Sequence, residues 1–419
     1  MDYAATTPLD SQVKKVMEPY WEKDFGNPSA LYSLGRRAKR VLEDKRKEVA
    51  EILAANPEEI IFTGSGTESD NLAILGIARA NKGNGRHIIT SKTEHRAVLE
   101  PCQKLEKEGF EVTYLDVNQY GLVNLNDFKK AIRPDTILVS IMDVNNEIGT
   151  IQPISKIYDA IKNFRNINSK QIQNSTTAPP NHPVKETDYI TKFKIYEKTP
   201  FFHTDACQVA GYLDLDVKKL GVDLMSINGS KIYGPKGVGI LYKKRGLKIE
   251  PLIYGGGQEN RLRSGTENIP AIVGFVEALK IAQKERIRES RRLTKLRDYF
   301  TGEILKRIPK VVLNGHSIKR LPNNVNISIL DIEGEAALLY LDRYGICAST
   351  GSACTSETLD PSHVILAMGR PYEYAHGSLR FTLGRETSKK DIDYVLGVLP
   401  KVIAKLRKIS PLNLKLKSN

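Results

Sequence analysis

The sequence predicts an α/β protein in two parts: a large domain built on a mostly parallel sheet, and a smaller α+β domain after it. Three observations predict this. At 419 residues the chain is too long for one compact core. From about residue 55 to 245, short apolar runs alternate with helical stretches, the pattern of β–α–β units. After helices from about Asn268 to Ile308 the rhythm changes, leaving strand candidates near Asn324–Ile329 and Ser378–Thr382 and a last helix over roughly Lys389–Arg407.

The elements follow in chain order. A long helix is expected over Leu34–Leu53, because Leu34, Ala38, Val41, Leu42, Val49 and Leu53 recur at helical spacing. Strands are expected at Glu59–Thr63, His87–Thr90, Val112–Leu115, Thr136–Met142, Phe201–Thr204, Leu224–Ile227 and Gly239–Tyr242. Between them, helices are expected at Glu68–Ala80, Arg96–Glu108 and Leu125–Ile132. Residues Asn166 to Thr199 are rich in Asn, Thr, Lys and Pro and read as an exposed inserted loop. In a parallel sheet of this kind, ligands bind beyond the carboxyl ends of the strands. The polar clusters that follow the strands are therefore the candidate site.

Composition excludes several classes. Hydrophobic residues make up 40% and charged residues 27%, ordinary for a soluble globular protein. No stretch reads as a membrane span. The start, Met1-Asp2-Tyr3-Ala4-Ala5, does not read as a signal peptide, so a cytoplasmic protein is expected. The four cysteines, Cys102, Cys207, Cys347 and Cys354, form no C-x-x-C pair, which argues against zinc ribbons and thioredoxin-type motifs. The net charge of +14 is densest in Lys284–Arg307 and Lys401–Lys417. Both stretches read as helices with a solvated basic face, with docking of an acidic protein or of RNA as the alternative; nucleic-acid binding is not the expected role.

Five segments carry candidate chemistry. Lys231 lies in Asn228-Gly229-Ser230-Lys231 after an apolar strand, where flanking glycines suggest a placed amine. Asp205 closes another strand, in His203-Thr204-Asp205-Ala206-Cys207-Gln208. An aspartate there is often a helix cap, but it also suits a carboxylate facing a cationic ring nitrogen. His95 falls beyond the strand at His87–Thr90, where it is either a core histidine or a ring that stacks on a ligand. Gly64-Ser65-Gly66-Thr67 joins a strand to a helix, and backbone N–H groups there suit a phosphate. Cys354 lies in Ser349-Thr350-Gly351-Ser352-Ala353-Cys354-Thr355-Ser356, a composition expected of a mobile loop. Cys347, ending the apolar run Tyr344-Gly345-Ile346-Cys347, is expected to be buried at a strand end; Cys207 is expected to line the pocket without reacting, and Cys102 to pack in a helix. With Arg380 in Leu379-Arg380-Phe381, the chain offers an amine, a carboxylate, a flat ring, phosphate donors and a guanidinium, the groups that a pyridoxal 5'-phosphate (PLP) enzyme needs.

Together the segments resemble the fold-type I, class V aminotransferase superfamily of PLP enzymes, and within it the cysteine desulfurases of the nitrogen-fixation and iron–sulfur-cluster-assembly type. The landmarks are Asp2-Tyr3-Ala4-Ala5-Thr6-Thr7-Pro8, Thr67-Glu68-Ser69-Asp70-Asn71, Val144-Asn145-Asn146-Glu147-Ile148-Gly149, Tyr233-Gly234-Pro235-Lys236-Gly237 after Lys231, Arg263-Ser264-Gly265-Thr266, and Gly351-Ser352-Ala353-Cys354-Thr355-Ser356. They run in order through nearly the whole chain apart from the insertion.

The resemblance implies a role for each residue. Lys231 would hold PLP covalently and move the α-proton. Asp205 would pair with the pyridine nitrogen, and His95 would stack on the ring and, as a catalytic residue, assist proton transfer. Asn146 and Gln208 would touch the ring-oxygen side, with Asn146 also near substrate. Gly66 and Thr67 would hold the phosphate, joined by Thr266 from the second subunit of a homodimer. Arg380 would clamp the carboxylate of L-cysteine. Cys354 would take the sulfur as a persulfide and pass it to an acceptor protein such as an iron–sulfur scaffold, or toward tRNA thiolation. Whether Cys354 also serves as a shared iron–sulfur cluster ligand is left open, and it is the one metal-binding candidate. The family often has Ser-Gly-His-Lys where this chain has Asn228-Gly229-Ser230-Lys231, so Asn228 and Ser230 would supply the remaining phosphate contacts. It also usually has a few residues before Asp2. The expected division is a large PLP-binding domain over 7–284, with an insertion about 166–199, and a small domain formed by 1–6 and 285–419 that carries the cysteine loop. Two alternatives stand beside this reading: a class V PLP enzyme acting on another amino acid, such as a selenocysteine lyase, and a basic RNA-binding or scaffold protein with a decayed site.

Overall fold

A computed structural model of the chain describes residues 1–175, 199–351 and 361–416. Among the described residues the large sheet has seven strands: β1 (Ile60–Thr63), β2 (His87–Ser91), β3 (Glu111–Leu115), β4 (Thr136–Ser140), β5 (Phe201–Asp205), β6 (Leu224–Asn228) and β7 (Gly239–Lys243). Their spatial order is β1-β7-β6-β5-β4-β2-β3. Strands β3, β2, β4, β5 and β6 pair in parallel, while β7 runs antiparallel to both β6 and β1. Only β7 is reversed. The ends of β1, β2, β4, β5 and β6 therefore open on one edge of the sheet.

Burial explains the composition of the strands. The residues of β4 and β5 are all buried, as a strand covered on both faces must be. Strand β3 is at the sheet edge and half exposed, which accommodates Glu111, Thr113 and Tyr114. Two apolar clusters cover the sheet, one including Val139, Phe202, Met225 and Ile240, the other Ile61, Ile88, Leu138 and Leu241.

A second, antiparallel sheet is ordered β10-β9-β8, formed by β8 (Val311–Leu313), β9 (Asn324–Ile329) and β10 (Ser378–Thr382). It has its own apolar cluster, in which Phe300 meets Phe381 edge-on with ring centroids 5.3 Å apart. One helix of 39 residues, Ile269–Arg307, joins the two clusters. Its first half buries Phe275, Val276 and Leu279 against the large sheet, and its second half buries Leu293, Phe300 and Ile304 against the small one. At ~1.5 Å per residue it spans roughly 58 Å.

Three expectations are corrected. The helix Ile154–Ser175 continues into the segment expected to be a loop from Asn166. No Gly or Pro interrupts the chain there, so Asn and Ser alone did not end the helix; residues 176–198 lie outside the described residues. The stretch expected as one helix over Glu68–Ala80 is α-helical at Gly66–Asn71 and Ile77–Asn81, with a π turn at Leu72–Gly76 between. Cys347 is exposed and not in a strand. Its apolar run follows the helix Gly334–Asp342, whose end turns on Gly345 at φ 70° and brings the Ile346 N–H to the Leu341 carbonyl at 3.1 Å. Ile346 takes the buried place that the pattern offered to Cys347.

The first residues stitch the two sheets together. The Ala4 N–H donates to Thr382 Oγ1 at 2.8 Å on β10. The Thr7 N–H and Oγ1 both donate to the Ser230 carbonyl, at 2.9 and 3.0 Å. The site forms along this seam.

Candidate active site

A cavity of about 160 Å³ opens on the shared strand edge. The turn after β6 brings in Asn228 and Lys231, β5 ends in Asp205 with Cys207 and Gln208 following, and β2 leads to His95. The start of helix Gly66–Asn71 adds Gly66, Thr67 and Asp70, and β10 of the small sheet adds Arg380. Ala4, Ala5, Met142 and Asn146 complete the lining.

Lys231 Nζ donates to the Ala5 carbonyl at 2.6 Å, so the first residues aim the amine. Gln208 Nε2 donates to the Ala4 carbonyl at 3.3 Å. His95 is the N-cap of helix Arg96–Lys107: its Nδ1 accepts the Ala97 N–H at 3.0 Å. An accepting Nδ1 leaves the proton of the neutral ring on Nε2, which fixes both tautomer and ring plane. The Asp205 carboxylate, which the sequence also allowed as a cap, accepts the Cys207 N–H at 2.9 Å.

Buried acids surround Asp205. Burial, reinforced by the Asp205 charge, pushes Asp143 up to about 7. Burial pushes Glu94 up to about 8, although Ser91 Oγ and the Met142 N–H donate to its carboxylate. Asp70 is raised well above the carboxylate range by burial and then by Asp205. His203 lies between Ser140 Oγ at 2.9 Å and Ser226 Oγ at 3.1 Å, and burial lowers it to about 4, so it is neutral. Burial thus disfavours the charged form of each of these groups packed around Asp205. Burial also raises the Cys207 thiol well above its ordinary value, which keeps it protonated and unreactive.

The two ends of the cavity differ. At one end Gly66 packs so close that a Cβ there would lie 2.5 Å from Cys207 Sγ and 3.2 Å from Asn228 Nδ2. Ser65 Oγ caps the helix by accepting the Glu68 N–H at 3.0 Å, and the N–H groups of Gly66 and Thr67 are first-turn donors outside the helical ladder. Asn228 Oδ1 is buried without a hydrogen-bond partner among the described residues. At the other end Arg380 is 1% exposed. Its Nη1 donates to the Asn146 carbonyl and its Nη2 to Asp2 Oδ1, both at 3.0 Å, while Nε has no partner among the described residues.

The structure thus brings Lys231, Asp205, His95, Gln208, Gly66, Thr67, Asn146, Asn228 and Arg380 to one cavity. The Ser230 side chain is not among the lining, and the Ser230 carbonyl instead receives Thr7. Thr266 is exposed and outside this cavity. It follows a segment in which Glu259, Asn260 and Arg261 all have positive φ. Glu259 anchors that segment through a buried two-pronged pair with Arg46, both contacts at 2.7 Å, and accepts the Phe62 N–H at 2.9 Å. Cys354 lies outside the described residues. Among the described residues no group of three or more His, Cys, Asp or Glu side chains is placed to hold a metal ion. The sequence reading gave no role to Met142 or Asp70. Asp70 could have been found, since it stands four residues after Gly66 on the same helix face.

The donor set fits PLP on these observations: an amine beside a carboxylate, a fixed imidazole, a cleft that only glycine permits at a helix start, and a buried guanidinium nitrogen without a partner among the described residues.

The class V aminotransferase family model matches residues 1–168 and 184–395. A cysteine desulfurase IscS from Dictyoglomus turgidum is 50% identical over 411 residues, covering 98% of this chain and 96% of that protein. One from Methanosarcina thermophila is 48% identical over 412 residues, covering 98% and 93%. Among solved structures, a NifS-like protein superposes with a TM-score of 0.82 at 33% identity, covering 96% of this chain and 98% of that one. SspA in complex with cysteine superposes with a TM-score of 0.72 at 32% identity, covering 91% and 97%. No described helix is long and apolar enough to cross a membrane.

Proposed function

Because the chain belongs to the class V aminotransferase family, we propose that it is a PLP-dependent cysteine desulfurase, converting L-cysteine to L-alanine with the sulfur passed to Cys354. The observation that carries this reading is the convergence of Lys231, Asp205, His95 and Arg380 on one cavity. Similarity to proteins named cysteine desulfurase supports the choice of substrate.

When bound, PLP supplies an electron sink that stabilises negative charge at the substrate α-carbon. Lys231 would hold it covalently, Asp205 would keep its ring nitrogen protonated, and His95 would stack on its ring. Gly66, Thr67 and Asn228 would hold the phosphate, with Thr266 of the partner subunit in a homodimer; Gln208 and Asn146 would meet the ring oxygen. Arg380 would bind the substrate carboxylate through Nε, which has no partner among the described residues, while remaining held by Asp2 and Asn146. Lys231 Nζ would take the α-proton. The Cys354 thiolate would then attack the substrate sulfur. A new S–S bond forms as the Cβ–S bond breaks, and that bond's electron pair stays on the carbon fragment, which takes a proton and leaves as alanine.

In this reading the large domain is 7–284 and the small domain is 1–6 with 285–419, carrying the cysteine loop. The protein works in the cytoplasm and passes sulfur to an acceptor such as an iron–sulfur scaffold or toward tRNA thiolation. Incubation with L-cysteine and reductant should release alanine and sulfide in equal amounts, with selenocysteine as competitor. Absence of alanine from a yellow, PLP-loaded protein would overturn the reading.

A further inference from the structure

We propose that an open basic groove on the 39-residue helix is a docking surface for a partner protein that presents an acidic amphipathic helix. The groove encloses about 750 Å³ between this helix and the start of helix Lys389–Ile409, and it shares no lining residue with the PLP pocket. Lys284, Arg288, Arg291 and Lys295 line it at i, i+4, i+7 and i+11, a single stripe along the helix. At ~1.5 Å per residue the stripe is roughly 16 Å long, three turns of a helix.

Some of these charges are already answered. Glu285 pairs with Arg288, Glu289 with Arg292 and Asp393 with Lys389. Arg292 also donates to the carbonyls of Thr387, Gly384 and Arg385, so it builds the groove floor. Lys284, Arg291 and Lys295 form no ion pair among the described residues and are exposed. Three unanswered cations at helical spacing call for carboxylates at the same spacing.

The lining favours protein over nucleic acid. Ile287, 59% exposed, and the half-buried Leu296 stand among the cations, while among the described residues no aromatic ring lines the groove to stack a base. An apolar strip flanked by cations is the complement of a helix with Leu on one line and Glu beside it. The cysteine chemistry does not depend on this surface.

The test uses the full-length, PLP-loaded protein. The probe is a fluorescent alanine-based helical peptide with Glu at i, i+4, i+7 and i+11 and Leu facing Ile287. Controls are the same peptide with Lys for Glu, and a single-stranded uridine oligonucleotide. The Glu peptide should bind with an affinity that falls as salt rises. The triple variant K284E/R291E/K295E should weaken it by about tenfold or more, and Ile287→Ser by roughly threefold. Alanine release from cysteine by both variants should match the wild type. Failure of the wild type to bind the Glu peptide, equal binding of the Lys peptide, no loss in the triple variant, or tighter binding of the oligonucleotide would each overturn the proposal.

Discussion

The pocket at the sheet edge and the groove on the long helix are both rich in charge, but they hold it in opposite ways. In the pocket nearly every polar group has a fixed position. The Ala5 carbonyl receives Lys231, Asp2 and the Asn146 carbonyl receive Arg380, and the Ala97 N–H holds His95. Burial raises the acids around Asp205, which disfavours further negative charge in that part of the pocket. In the groove, Lys284, Arg291 and Lys295 stand in solvent without ion pairs among the described residues. The difference teaches where precision is built. A site that does chemistry orients its groups before the ligand arrives, and a surface that attracts a partner leaves its charges free to adapt.

If this contrast is right, single changes in the pocket have large effects. Lys231→Ala should lower kcat by roughly a thousandfold and abolish the visible absorbance of the bound cofactor. A retained band would assign the covalent link to another lysine. Arg380→Ala should raise the KM for cysteine by tens-fold to about a hundredfold, corresponding to roughly 1.5–3 kcal/mol for charged hydrogen bonds. The loss includes the unpairing of Asp2, so Arg380→Lys should recover only part of it. An unchanged KM would remove Arg380 from the substrate site.

Gly66→Ala tests how tightly the phosphate end is built. The new Cβ meets Cys207 Sγ at 2.5 Å, which should cost about 1–3 kcal/mol of cofactor affinity. Adding Cys207→Ala should restore part of it, as measured by PLP titration, and the absence of any rescue would place the clash elsewhere. The smallest expected effect concerns pH. Glu94 holds its proton up to about 8 in the folded protein, against an ordinary value of 4.5. Between these values the folded chain binds more protons than the unfolded one. Its stabilising contribution is therefore full below 4.5 and is lost as pH rises toward about 8. In Glu94→Gln the Tm should fall less steeply across that window; parallel curves would show that Glu94 is not protonated there.

Much of this arrangement is legible in the sequence because it rests on local patterns. Each expected strand of the large sheet is present to within a residue or two, since each is an apolar run bounded by polar turns. Lys231, Asp205 and His95 could be picked out because each falls just past such a strand. The reversal of β7 is not legible: Gly239–Lys243 reads like the parallel strands, and pairing direction is decided by tertiary contacts. Cys347 was misread because one apolar residue, Ile346, satisfies the core while its neighbour faces solvent. The raised pKa values of the acids around Asp205 are not legible either, since burial by distant segments sets them.

The central claim is that Lys231 defines the cofactor and Cys354 defines the reaction. Peptide mass spectrometry after a single turnover with L-cysteine, without reductant, tests it most directly. The peptide carrying Cys354 should gain one sulfur atom, while those carrying Cys102, Cys207 and Cys347 should not. A persulfide on the exposed Cys347 instead, or alanine released with no sulfur retained on Cys354, would contradict it.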